Sequence, residues 1–222
     1  MTSKRATSDR IWNEVMKLLH IDSSILGTHS ATRELGAARV AAWRLHNPRG
    51  EVRYVDLASA PLGHLTGELL GATTLPIDQR SAELQRDIDA SQQALDDFLA
   101  ADVVVVGAPM YNFSIPSQLK SWIDRIAVKG KTFRYTEKGP EGLATGKKVV
   151  IVSARGGIYS AGSQAAAMDF QENYLRSVFG FLGITDIEFV RAEGLNYGPV
   201  QREHAMSAAL NGIAASELPL AA

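Results

Sequence analysis

The sequence predicts a doubly wound α/β domain, a five-stranded parallel sheet in the order 2-1-3-4-5 with helices on both faces. Three observations predict it. Short β-branched apolar runs alternate with segments of helical spacing along the chain. One run, Val103-Val104-Val105-Val106, is continuously apolar, as a strand covered on both faces must be. The distinctive polar and glycine-rich stretches fall just after the first, third and fourth runs, at the strand ends where such sheets bind ligands.

The elements follow in order. Residues 1–15 carry basic side chains and no apolar core segment, so they read as a disordered extension or an upstream start rather than a signal peptide. Residues 16–222 read as one domain. Strands are expected at 17–21, 52–56, 103–107, 148–153 and 186–190. Helical spacing over 32–45 puts Leu35, Arg39 and Ala42 on one stripe, and Asn47-Pro48 with Gly50 stops it. A second helix is expected over 80–99, with Leu84, Ile88, Leu95 and Leu99 on one face. Further helices are expected over 117–126, 165–182 and 201–215. The stretch 129–146 is a long loop rich in glycine, expected to fold over a site or a partner. Five parallel strands in this order make the flavodoxin-like arrangement.

Composition removes several functions. Among 222 residues, 45% are hydrophobic and 21% charged, enough to bury a substantial core. With 23 basic and 24 acidic residues, the net charge of -1 gives no general drive toward nucleic acid or anionic lipid. There is no cysteine, so disulfides, thiolate catalysis and sulfur-ligated metals are excluded. The histidines lack metal-ligand spacing, so no metal site is expected and redox chemistry requires an organic cofactor. No apolar run approaches the roughly 20 residues a bilayer span needs. A cytoplasmic location is expected.

Three motifs carry the chemistry. The stretch from Asp22 to Thr32 follows strand 1 and opens a helix. Hydroxyls at Ser24, Ser30 and Thr32, with free N–H groups at the helix start, make a phosphate cradle. Helix capping accounts for one of these hydroxyls but not for three. Neither GxGxxG nor GxxxxGK[ST] is present, so a monophosphate such as FMN fits better than a dinucleotide or a nucleoside triphosphate. The second motif, Ala108 to Pro116, sets Met110, Tyr111, Asn112 and Phe113 between Pro109 and Pro116. Its apolar side chains suit one face of a flat ring, and Asn112 suits a polar edge; a loop that merely closes the core is the alternative. The third, Ser153-Ala154-Arg155-Gly156-Gly157, lets backbone approach a ligand at the paired glycines, although a tight turn explains the glycines alone better. Arg155 is read two ways, as a counter-charge for a reduced ring or as a surface ion pair.

Taken together these residues resemble the FMN-dependent NADH:azoreductases, also called NADH:quinone oxidoreductases. The resemblance runs from Met16 onward. It rests on Ser23-Ser24-Ile25-Leu26, Pro109-Met110-Tyr111-Asn112-Phe113, Thr132-Phe133-Arg134-Tyr135-Thr136-Glu137, Gly139-Pro140-Glu141-Gly142-Leu143, Arg155-Gly156-Gly157 and Ala192-Glu193-Gly194. It implies a homodimer with one FMN per subunit, reduced by NADH (or NADPH) and reoxidised by a quinone or aromatic azo compound in a two-electron ping-pong cycle. The implied cofactor contacts are Ser24, Ser30, Ala31, Thr32, Pro109, Met110, Tyr111, Asn112, Phe113, Ala154, Arg155, Gly156 and Gly157. Ala31 stands where the family often has Gln, and Ala154 where it often has Ser, which puts side-chain hydrogen bonds there in doubt. No catalytic acid or base is implied, because the flavin itself performs the chemistry. Phe133 and Tyr135 are the expected lining of the acceptor pocket, or simply packing within their loop. The alternative function is a flavodoxin-like single-electron carrier, against which the near-neutral charge counts.

Overall fold

A computed structural model describes residues 15–72 and 75–216. The expected extension therefore lies almost wholly outside the described residues. The chain runs β1 (Lys17–Asp22), α1 (Ala31–His46), β2 (Glu51–Asp56), α2 (Gly67–Gly71), α3 (Ala82–Ala100), β3 (Val103–Pro109), α4 (Ser117–Ile126), β4 (Phe133–Thr136), β5 (Gly139–Gly142), β6 (Lys148–Ala154), α5 (Glu172–Phe181), β7 (Asp186–Ala192) and α6 (Pro199–Ala215). The main sheet has the order β2-β1-β3-β6-β7, all parallel, which is the expected 2-1-3-4-5.

Strand alternation builds two cores. On one face Leu19, Ile21, Val104, Val106, Val149 and Ile151 pack with Phe98, Trp122 and Phe179 from α3, α4 and α5. On the other, Leu18, Val103, Val105, Val150 and Val152 pack with Leu35, Trp43 and Met206 from α1 and α6. Burying each such side chain contributes about 1.5–3 kcal/mol. Because every strand of β1, β3 and β6 serves both cores, their carboxyl ends are held in one fixed row. That row carries the three motifs.

Three expectations are corrected. The helix expected from residue 165 starts at Glu172 instead. The Asp169 carboxylate accepts hydrogen bonds from the Gln171 and Glu172 N–H groups, capping the first turn, while 166–168 form only a short 3-10 turn. The helix expected from 80 starts at Ala82, because the Ser81 hydroxyl accepts from Leu84 N–H. The loop at 129–146 contains the antiparallel hairpin β4–β5. The hairpin follows α4 back to the amino-terminal edge of the sheet. There Ala144 N–H donates to Leu182 carbonyl, and Phe133 packs 4.7 Å from Phe181. Gly142 is required at this junction: a Cβ there would lie 2.1 Å from Gly183 N.

Candidate functional site

Each motif lands at the carboxyl edge. The first forms the turn between β1 and α1. Ser30 caps α1, its hydroxyl accepting from Arg33 N–H at 3.3 Å and lying 3.0 Å from Thr32 Oγ1. The N–H groups of Ala31 and Thr32, in the first helical turn, have no partner among the described residues. Capping uses one hydroxyl, and the unpartnered N–H groups lie at the positive end of the helix dipole, a setting that favours an anion.

The second motif turns sharply. Tyr111 and Ser114 exchange hydrogen bonds across Asn112 and Phe113, which sit at φ 48° and 70°. A phenylalanine in the left-handed region is uncommon and costs about 1–2 kcal/mol. The strain is held by contacts at both sides. Phe113 carbonyl accepts from Phe170 N–H, and its ring meets Tyr159 edge-on at 6.2 Å. Ser24 Oγ and Tyr111 Oη lie 3.2 Å apart, and Ile25 N–H also donates to that hydroxyl. This contact ties the first motif to the second. Met110 N–H donates to Ala154 carbonyl, tying the second to the third through backbone.

In the third motif the Gly156 and Gly157 N–H groups are unpaired among the described residues, while their carbonyls accept from Asn196 and Gly194. A Cβ on Gly156 would lie 2.4 Å from the Asn196 side chain. Met110, Asn112, Phe113, Gly156, Gly157, Tyr159, Asn196 and Tyr197 line one open cleft of about 470 Å³. That volume lies within the roughly 300–1,000 Å³ of cofactor and ligand pockets. Tyr159, Asn196 and Tyr197 were not anticipated. Tyr159 follows β6, where the strand-end rule already looked, and Asn196 and Tyr197 follow β7, so the rule extended to the fifth strand would have found those two.

Arg155 makes ion pairs, as one of its two expected readings has it, but they are buried rather than at the surface. It is 1% exposed, with Nη2 at 3.0 Å from Asp169 and 2.5 Å from Glu172, and Nη1 at 3.0 Å from Glu193. Its Nε donates to Gln171, whose amide donates to Ala108 carbonyl under the second motif. Its charge is consumed in this cluster, so it is a buried tie between loops. Burial alone would raise the Glu193 pKa, but hydrogen bonds from Tyr159 N–H, Ser160 and Arg155 outweigh it and hold the carboxyl below its ordinary range.

Phe133 and Tyr135 pack edge-on against each other within their hairpin, ring centroids 5.6 Å apart. They sit on the hairpin at the amino-terminal edge, Phe133 against Phe181 and Tyr135 65% exposed, and do not line the cleft of their own chain. Pro109 ends β3 beneath the cleft without lining it. Among the described residues, no group of three or more His, Cys, Asp or Glu side chains is placed to hold a metal, and no helix is long and apolar enough to cross a membrane.

Residues 16–216 match the model of the flavodoxin-like fold family. An FMN-dependent NADH:quinone oxidoreductase of Rhizobium meliloti strain 1021 is 59% identical over 199 residues, covering 90% of this chain and 96% of that protein. The chain belongs to this oxidoreductase family. Solved structures agree in geometry. An azoreductase of Bacillus anthracis Sterne is 30% identical, with a TM-score of 0.81 over 90% of this chain and 97% of its own. An FMN-dependent NADH-azoreductase of the Ames Ancestor strain, solved in complex with FMN, is 25% identical with a TM-score of 0.79, over 90% and 98%.

Proposed function

We infer that this chain is an FMN-dependent NADH:quinone oxidoreductase that also reduces aromatic azo compounds. One observation carries the reading: the Ser24–Tyr111 contact holds the turn leading to the unpartnered N–H groups of α1 against the loop whose Met110, Asn112 and Phe113 line the glycine-edged cleft. A cofactor with a phosphate tail and a flat ring needs both at one sheet edge. A bound FMN would supply two-electron redox chemistry between NADH and the acceptor.

The chain's own residues bind and orient. Ala31 and Thr32 N–H groups with the Ser30 and Thr32 hydroxyls hold the phosphate. Met110, Asn112 and Phe113 support one side of the ring. The Gly156 and Gly157 N–H groups are donors placed for negative charge that develops during reduction. Tyr159 and Tyr197 bound the open side, where nicotinamide and then a flat aromatic acceptor occupy the same place in turn, giving a ping-pong order. No side chain needs to move a proton for hydride transfer.

A homodimer completes this reading. Phe113, Ile158, Met168, Phe170 and Tyr197 are exposed apolar side chains around the cleft, a rim that a second copy would cover. Tyr135, outward on its hairpin, is available to that copy. The enzyme acts in the cytoplasm, where NADH is generated and consumed. The test is the absorbance spectrum. Purified protein is expected to be yellow, to bleach with NADH under anaerobic conditions, and to recover its colour on adding a quinone. A protein that stays colourless and inert after FMN is supplied refutes the reading. Light scattering at one chain's mass refutes the dimer.

A further inference from the structure

Arg33 is the third residue of α1, yet its side chain does not continue along the helix. It turns back beneath the first motif. Nη2 donates to the Ser24 carbonyl at 2.9 Å and to Asp56 Oδ1 at 2.7 Å. Nη1 donates to Asp56 Oδ2 at 2.9 Å and to the Tyr54 hydroxyl at 3.0 Å. Tyr54 in turn donates to Asp22 Oδ2 at 2.9 Å, and that oxygen is 3.6 Å from Nη1. One planar fork thus ties the ends of β1 and β2 to the start of α1.

A phosphate cradle needs its N–H groups facing the ligand and its carbonyls facing away. Ser24 lies in the middle of the turn. Its hydroxyl is committed toward Tyr111 and Leu26 N–H, and its carbonyl is committed to Arg33. The guanidinium also cancels carboxylate charge just below the turn, where Asp22 is 3% exposed and Asp56 half-buried. Without that cation, two carboxylates would oppose a dianion placed above them.

We propose that Arg33 is a positioning residue for the cofactor phosphate: it holds the Ser24 carbonyl outward and offsets one of the two charges of Asp22 and Asp56, while touching neither phosphate nor ring. The proposal rests on the FMN reading above and goes beyond it in assigning phosphate selectivity to a residue outside the cradle. The arrangement needs Arg specifically. A lysine ammonium is a single point donor and cannot span a bidentate carboxylate and a carbonyl together.

The test separates phosphate from ring. Apoprotein is titrated with FMN and with riboflavin, which has the ring and no phosphate, following flavin fluorescence. Arg33→Gln is expected to weaken FMN about 10- to 100-fold, as loss of a hydrogen bond to a charged group does. Riboflavin affinity is expected to stay within about twofold of wild type. Arg33→Lys is expected to fall between, and it carries the test if Arg33→Gln does not fold, judged by circular dichroism. FMN affinity unchanged in the variants overturns the proposal, as does an equal loss for both flavins, which would mean general loosening of the site. Wild-type protein that binds neither flavin would instead overturn the cofactor reading itself.

Discussion

Replacing Arg155 by Met removes the cation at the centre of a buried cluster while keeping a comparable apolar stem. In the native chain Asp169, Glu172 and Glu193 surround one guanidinium, and Arg191 adds a second cation through Glu172 at 2.8 Å. The cluster's balance of two cations against three carboxylates falls to one against three. Stripping one partner from a buried ionic group costs about 3–5 kcal/mol, because the remaining charge stays buried without compensation. For a chain of this size each kcal/mol lowers Tm by about 2–4 °C, so a loss of roughly 6–20 °C is expected by thermal denaturation. A Tm within 2 °C of wild type would refute the account of Arg155 as a buried tie.

Other perturbations read other parts of the molecule. Gly142→Ala drives a Cβ into the backbone of Gly183 and should destabilise the chain by about 1–3 kcal/mol in urea denaturation, with FMN affinity unchanged because the junction is at the far sheet edge. Phe113→Gly and Phe113→Ala both lose the ring at the cleft, so both should lower quinone reductase activity; Gly accepts φ 70° without strain, so it should be the more stable of the two by about 1 kcal/mol in the same assay. Glu193 is held below the usual glutamate range, so it contributes stability at neutral pH which is lost as pH falls through its folded pKa; Glu193→Gln should flatten the acid side of a stability–pH curve.

Much of the fold was legible because buried parallel strands must be apolar throughout. The Val103–Val106 run and its partners at 17–21 and 148–153 can be covered only by helices on both faces, and the alternation of elements then fixes the sheet order. The place of Ser30, Asn112 and Gly156 at the carboxyl edge of the sheet was legible for a related reason: polar and glycine residues that do not continue an element stood just after strands. Helix starts were less legible. The apolar spacing over 165–182 does not reveal that the Asp169 carboxylate captures the first N–H groups and delays the helix to Glu172.

What the sequence determined by itself was the layered sheet and the strand ends where a flavin would sit, since both follow from local periodicity and from residue types. Only tertiary structure decided what the charged side chains do. Arg155 and Arg33 each reach partners far along the chain, Glu193 for one and Asp56 for the other, and no local pattern encodes such pairings. Tertiary structure likewise sent the hairpin with Phe133 and Tyr135 to the opposite edge, because α4 carries the chain back across the sheet before the hairpin begins.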